Sequence, residues 1–154
     1  MGTYLNPGND GFAEILDSGY IDKTGMIDII NSRINTLNKL TCISRPRRFG
    51  KSIAAKMLCA YYDHTCKSDS LFDDKEISKT ADYKTHLNQY NVIYMDMSNL
   101  LGNVEPESLV PFIKESITEE LMAEYPTLKC GTTFDQTLIN TVELGKPKFI
   151  MIID

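Results

Sequence analysis

Hydrophobic and polar residues follow both helical and strand-like patterns along this chain. Apolar residues recur at helical spacing in five segments, which predicts helices near residues 11–17, 26–37, 51–63, 106–121 and 133–145. Three β-prone runs, at residues 40–44, 92–97 and 149–154, predict strands between them. The last run is continuously apolar before its final acid, which is typical of a central strand buried on both faces. Strands separated by helices predict an α/β layered fold with a mainly parallel sheet.

Several predicted helices carry end signals. Thr24 is a candidate N-cap, and Pro106 suits a first helical turn, where its missing N–H costs nothing. Thr133 and Gln136 form a candidate capping box, and Gly145 is placed to end that helix. The polar stretch at residues 67–89 gives no clear prediction.

Composition indicates one domain. Residues 1–10 contain Gly, Pro and Asn and predict a loose N-terminal segment, so we assign the domain to residues 11–154. The net charge of −5 argues against a surface that attracts nucleic acid as a whole, so any basic site must be local. The start of the chain is not a secretory signal, and no apolar run reaches the roughly 18 residues of a membrane span. These features predict a cytoplasmic protein.

The cysteines indicate no metal site. The four cysteines form no C-x-x-C pair, and only two histidines are present, whereas zinc sites need clustered soft ligands. We expect reduced thiols.

The most informative motif is a phosphate loop that lacks one glycine. In the pattern G-x-x-x-x-G-K-[ST], backbone amides surround the phosphates, the lysine reaches the outer phosphate oxygens and the hydroxyl ligates Mg²⁺. Gly50, Lys51 and Ser52 occupy the last three positions, whereas Arg45 stands at the first. Asp154, at the end of the last apolar run, suits the acid that holds the Mg²⁺ water shell in such enzymes.

The tripeptide alone is weak evidence, because it occurs by chance in roughly one chain in fifteen of this length. A strand predicted before it and a helix predicted after it strengthen the functional interpretation. The alternative is a helix start that carries Gly-Lys-Ser by coincidence.

Arg45 changes the expected path of the loop. An arginine before a proline is biased to extended geometry, and Pro46 has no amide donor. We therefore expect fewer amides on the phosphates, with Arg47 or Arg48 supplying charge instead. The same arginines also allow contact with a nucleic-acid backbone, which is an alternative function of this loop.

The run Arg-Pro-Arg-Arg-Phe-Gly-Lys-Ser (residues 45–52), with Tyr-Ile-Asp-Lys-Thr (residues 20–24) upstream, resembles the AAA-ATPase-like family. Residues 71–72, residues 92–93 and the terminal strand also match, so the resemblance covers roughly residues 12–154. It implies a P-loop NTPase of the additional-strand, AAA-like type, a three-layer sandwich with strand order 5-1-4-3-2.

The resemblance also implies a site. ATP would be bound by the loop residues Arg45, Pro46, Arg47, Arg48, Phe49, Gly50, Lys51 and Ser52. Mg²⁺ would be held by Ser52 and Asp154, with Asp154 as the first acid of the Walker B motif. Residues 20–24 would either lie beside the adenine or simply begin a helix packed on the core.

The family's Walker B motif usually continues into a glutamate that polarises the attacking water, and the chain stops at the first acid. No catalytic residue is therefore assigned, and Mg²⁺-dependent hydrolysis is expected only in a complete protein. The strand between the phosphate-loop strand and the Walker B strand is also not found, so we expect an N-terminal fragment whose sheet is incomplete at the C-terminus. Family members often carry a C-terminal nuclease-like domain of the PD-(D/E)XK type. A nucleotide-sensing or scaffold module without turnover is a further alternative.

Overall fold

The structure is a computed structural model that describes residues 2–44, 46 and 49–154. Its helices and strands, in chain order, are α1 (Asp10–Leu16), α2 (Gly25–Asn31), α3 (Lys51–Tyr62), α4 (Asp69–Phe72), α5 (Tyr83–His86), β1 (Asn91–Met95), α6 (Met97–Asn103), α7 (Leu109–Glu124), α8 (Phe134–Glu143) and β2 (Phe149–Ile153). Two 3₁₀ turns, Glu76–Lys79 and Pro106–Ser108, precede α5 and α7.

The two strands pair in parallel. The register sets Asn91 opposite Phe149 and Met95 opposite Ile153. Both strands were predicted, and their parallel pairing with helices between them is compatible with the predicted α/β class.

Helices cover both faces of this small sheet. Successive side chains of a strand point to opposite sides, so each strand contributes to two cores. Val92 and Ile152 join a core under α1, α2 and α3. Ile93 and Met95 join a second core under α6 and α7, to which Phe149 also contributes.

The strand predicted at residues 40–44 is not formed. These residues have no strand pairing, and the Leu40 side chain is 89% exposed. Strand propensity depends on having a neighbouring strand to pair with, and none of the described residues pairs with this segment.

The predicted helix at residues 26–37 is shorter than expected. It ends at Asn31 and is followed by turns in which Asn35 has a φ of 60°. This left-handed conformation is one that asparagine tolerates and a continuing helix does not. Leu37, which was predicted to be part of the apolar face, is fully exposed.

The side chain of Thr24 does not cap α2, although Thr24 is the residue at the cap position. The capping prediction for the last helix is confirmed, because Oγ1 of Thr133 accepts from the amide of Gln136 at 3.2 Å. Gly145 follows that helix with a φ of 74°, as a terminating glycine should. Pro106 begins the 3₁₀ turn that leads into α7 rather than α7 itself.

The prediction that the last strand is buried on both faces was wrong. Met151 is 50% exposed and Ile153 is 64% exposed. Among the described residues β2 pairs only with β1, so its other edge and much of one face have no neighbour.

The N-terminal segment differs from the loose end predicted for it. The amide of Asn6 donates to the Val92 carbonyl at 2.7 Å, and the amide of Tyr94 donates to the Tyr4 carbonyl at 2.8 Å. These bonds hold the segment antiparallel to the outer edge of β1, and Leu5 is buried in the second core. The division between residues 1–10 and 11–154 as separate units stays a prediction.

Within the described part of the chain, no helix combines the length and apolar character needed to cross a membrane.

Candidate functional site

Gly50, Lys51 and Ser52 lie at the start of α3. Gly50 is the N-cap residue, with φ 78° and ψ 32°. This left-handed conformation is cheap for glycine and strained for most other residues, so glycine suits the turn into the helix. Lys51 and Ser52 are the first two helical residues, and both are exposed. The first turn of any helix has amides with no intrahelical acceptor, and these suit an anion.

The remainder of the loop is described only in part. Pro46 and Phe49 are exposed, and the Phe49 side chain is 57% accessible. Arg45, Arg47 and Arg48 lie outside the described residues, so the roles predicted for them stay predictions.

Asp154 directly follows β2 and extends its parallel ladder. Its amide donates to the Met95 carbonyl at 2.9 Å, and its carbonyl accepts from the Met97 amide at 3.0 Å. The residue is half-buried. Burial, together with the nearby Asp154 and Asp96 carboxylates, raises the pKa of Tyr94 to about 12. Asp154 is two residues beyond Ile152, which packs in the core under α3, so it lies on the side of the sheet that α3 covers.

Lys51 and Asp154 both line one open cleft. It has a volume of about 1290 Å³ and lies between β2 and residues 39–43. Ala54 and Leu58 of α3 form part of its wall. Gly50 and Ser52 are not among its lining residues, although both are direct neighbours of Lys51. The cleft thus has a cation at the start of a helix, a carboxylate at the end of a strand, and apolar walls between them.

Asp96 is a second acid at the carboxyl ends of the strands, and its role was not predicted from the sequence. It follows β1 as Asp154 follows β2, and the carboxyl ends of parallel strands lie at one edge. Its Oδ1 accepts from the Asn99 amide at 3.0 Å, so this oxygen caps α6. An acid directly after an apolar strand was the signal that could have identified it, as it did for Asp154.

The described residues offer no cluster of ligands that would hold a metal without a bound phosphate. No group of three or more His, Cys, Asp or Glu side chains suited to a metal occurs among the described residues. Mg²⁺ usually keeps several waters and uses one or two carboxylates together with substrate phosphates. A hydroxyl and a carboxylate are the ligand types that this mode uses, and the joint role of Ser52 and Asp154 stays a prediction.

Comparison with protein families identifies the class. A model of the AAA-ATPase-like family, described as predicted AAA-ATPases, matches residues 7–154. The chain therefore belongs to the AAA-ATPase-like family, as its phosphate-loop and Tyr-Ile-Asp-Lys-Thr motifs predict. Comparisons with curated proteins and with solved structures give no significant match.

Proposed function

We propose that this chain binds a nucleoside triphosphate, ATP, together with Mg²⁺, in the cleft between β2 and residues 39–43. The observation that carries the proposal is that Lys51 and Asp154, which are distant in the sequence, line the same cleft. Membership of a family described as AAA-ATPases supports ATP as the nucleotide.

The phosphate-loop pattern suggests a role for each residue. The ammonium group of Lys51 would contact the outer phosphate oxygens, and the free amides of the first turn of α3 would bind the phosphate chain. The hydroxyl of Ser52 would ligate Mg²⁺, and the carboxylate of Asp154 would hold its water shell. Bound Mg²⁺ would neutralise phosphate charge. Arg47 and Arg48 would supply further positive charge to the phosphates.

We also propose that the fold is a P-loop sandwich of the additional-strand type. In that arrangement one strand separates the phosphate-loop strand from the Walker B strand. Residues 40–44 lead directly into the phosphate loop, and the cleft separates this segment from β2. Helices on both faces of the sheet also fit a three-layer arrangement.

Two lysines of α3 give a matched test of nucleotide binding. Lys51 lines the cleft, whereas Lys56, also exposed, is not among its lining residues. Binding of a fluorescent ATP analogue in Mg²⁺ should weaken at least about tenfold in Lys51→Ala, because a charge-assisted contact is lost, and should be unchanged in Lys56→Ala. Equal affinity of Lys51→Ala and the parent protein would mean that the cleft is not the nucleotide site.

Two further measurements separate the alternative functions. Phosphate release, measured on a protein that continues past Asp154 into the expected Walker B glutamate, distinguishes an ATPase from a nucleotide-sensing or scaffold module, which would bind ATP without turnover. Titration with single-stranded DNA tests contact through residues 45–48. A nucleic-acid site would retain DNA binding in Lys51→Ala and lose it when Arg47 and Arg48 are both replaced by alanine.

A further inference from the structure

Lys23 lies beside the phosphate loop, although the two are distant in the sequence. A methyl group placed on Gly50 would lie 3.4 Å from Nζ of Lys23. The Lys23 side chain is exposed, and no ion pair between described residues involves it. The structure therefore places a second ammonium group next to the glycine that precedes Lys51.

The backbone of Lys23 is fixed to the helix that begins at the loop. The amide of Lys23 donates to the hydroxyl of Tyr20 at 3.0 Å, and that hydroxyl donates to Sδ of Met57 in α3 at 3.2 Å. The Tyr20 ring also packs edge-on against Phe12, with 5.3 Å between ring centroids. Tyr20 thus contacts the core and supports Lys23, so its ring is not free to stack on a base.

The carboxylate of Asp22 also holds the segment at residues 20–24 through hydrogen bonds. Oδ1 of Asp22 accepts from the amide and the hydroxyl of Thr24, both at 2.8 Å, and Oδ2 accepts from the amide of Glu76 at 2.8 Å. The hydroxyl of Thr24 also accepts from the amide of Ile77 at 3.1 Å. The Asp22 oxygens are directed at Thr24 and Glu76, and no ion pair between described residues joins Asp22 to Lys23.

A positioned ammonium group suits a phosphate chain. Lysine acts as a compact charge on a long stem, so it can follow phosphate oxygens over several ångströms. The ammonium group approaches Gly50, which has no side chain and offers it no counter-charge. A triphosphate beside Gly50 would supply that negative charge.

We propose that Lys23 is a second phosphate-binding cation of this site, held beside Gly50 by Tyr20 and Asp22. The proposal rests on the proposed nucleotide site and deepens it. It assigns the Tyr-Ile-Asp-Lys-Thr segment to the phosphates of the nucleotide rather than to its adenine.

Three probes distinguish phosphate contact from base contact: ATP, GTP and inorganic tripolyphosphate, each titrated calorimetrically in Mg²⁺. Lys23→Ala should weaken all three by about tenfold, the loss expected for one charge-assisted hydrogen bond. Lys23→Arg should recover most of the affinity, because the charge is restored. Lys79→Ala is the matched control, since Lys79 is an exposed lysine of the neighbouring 3₁₀ turn, and it should bind like the parent protein.

The outcomes separate this inference from the nucleotide site itself. Weaker ATP binding with unchanged tripolyphosphate binding would overturn it in favour of an adenine contact. Parent-like affinity of Lys23→Ala for all three probes, while Lys51→Ala loses them, would overturn the role of Lys23 alone. A parent protein that binds none of the probes would overturn both the role and the site. Equal thermal unfolding midpoints of the Lys23 variants and the parent would show that the fold is intact, as expected for an exposed side chain.

Discussion

Replacing Tyr62 with phenylalanine would remove one buried hydroxyl from α3 and leave the ring in place. That hydroxyl donates to Oδ1 of Asn31 in α2 at 2.7 Å. Nδ2 of Asn31 donates in turn to the hydroxyl of Tyr61 at 3.2 Å, and that hydroxyl donates to the Tyr83 carbonyl at 2.7 Å. The chain of bonds thus connects the helix that begins at the phosphate loop to two neighbouring helices through the first core.

The expected cost follows from burial. Tyr62 is 1% exposed and Asn31 is 4% exposed, so water has little access to the Asn31 oxygen once its donor is gone. A buried polar group that loses its partner costs about 1–3 kcal/mol in the free energy of unfolding. For a chain of this size, about 2 kcal/mol lowers the unfolding midpoint by about 4–8 °C.

Thermal unfolding followed by circular dichroism would measure the effect, with Tyr90→Phe as the control. The Tyr90 hydroxyl lies 2.7 Å from Nδ1 of His86, which is only half-buried, so water can replace the lost bond. We expect Tyr90→Phe to cost less than about 1 kcal/mol. Equal unfolding midpoints for Tyr62→Phe and the parent protein would show that the buried Tyr62–Asn31 hydrogen bond does not stabilise the fold.

A double variant sharpens the same test. Combining Tyr62→Phe with Asn31→Leu replaces both partners of the Tyr62–Asn31 bond by apolar groups of similar size, so neither partner is left buried without the other. Tyr61 would still donate to the Tyr83 carbonyl. The double variant should therefore be destabilised by less than the sum of the two single variants. Simple additivity would show that the Tyr62–Asn31 bond contributes nothing.

Three further predictions concern other parts of the chain. Thr133→Ala should lower the free energy of unfolding by about 1 kcal/mol in urea titrations, because the Gln136 amide loses its cap, and an unchanged urea midpoint would contradict this. Partial burial raises the pKa of Asp22, but its hydrogen bonds outweigh that effect and hold the pKa below the usual range. The stabilising effect of the Asp22 carboxylate should therefore be full above about pH 4 and be lost as the pH falls below that value. Asp22→Asn should be less stable than the parent protein at pH 7 and equal to it in strong acid. A stability difference that does not change with pH would be inconsistent with this. Exposed Cys42 lines the cleft and exposed Cys130 does not, so MgATP should slow alkylation of Cys42 alone, whereas equal protection of both thiols would argue against binding there.

The sequence predicted the elements whose signals are local. A strong helical pattern after Gly50 predicted α3, and a continuous apolar run predicted β2, and both formed close to the expected residues. The cap at Thr133 likewise needs only residues three positions apart. These signals also predicted that Lys51 begins a helix and that Asp154 ends a strand, and both residues line the cleft.

The features that the sequence did not predict depend on contacts between distant residues. Residues 40–44 have strand propensity, but a strand needs a neighbour for its backbone, and this segment has none among the described residues. Leu5 is buried only because the edge of β1 accepts the N-terminal segment. Phe72 and Ile77 are buried in the core, although the stretch around them is mostly polar and gave no prediction of buried residues. The position of Lys23 beside Gly50 likewise depends on tertiary contacts and has no local signal.

Calorimetric titration of ATP into the parent protein, Lys51→Ala and Asp154→Asn, each in Mg²⁺ and in EDTA, tests whether these two residues form a magnesium–nucleotide site. The parent should bind more tightly in Mg²⁺, because the metal joins the phosphates to Asp154. Lys51→Ala should lose affinity in both conditions, and Asp154→Asn should lose only the part that depends on Mg²⁺. Parent-like binding by both variants in both conditions would contradict a magnesium–nucleotide site formed by these two residues.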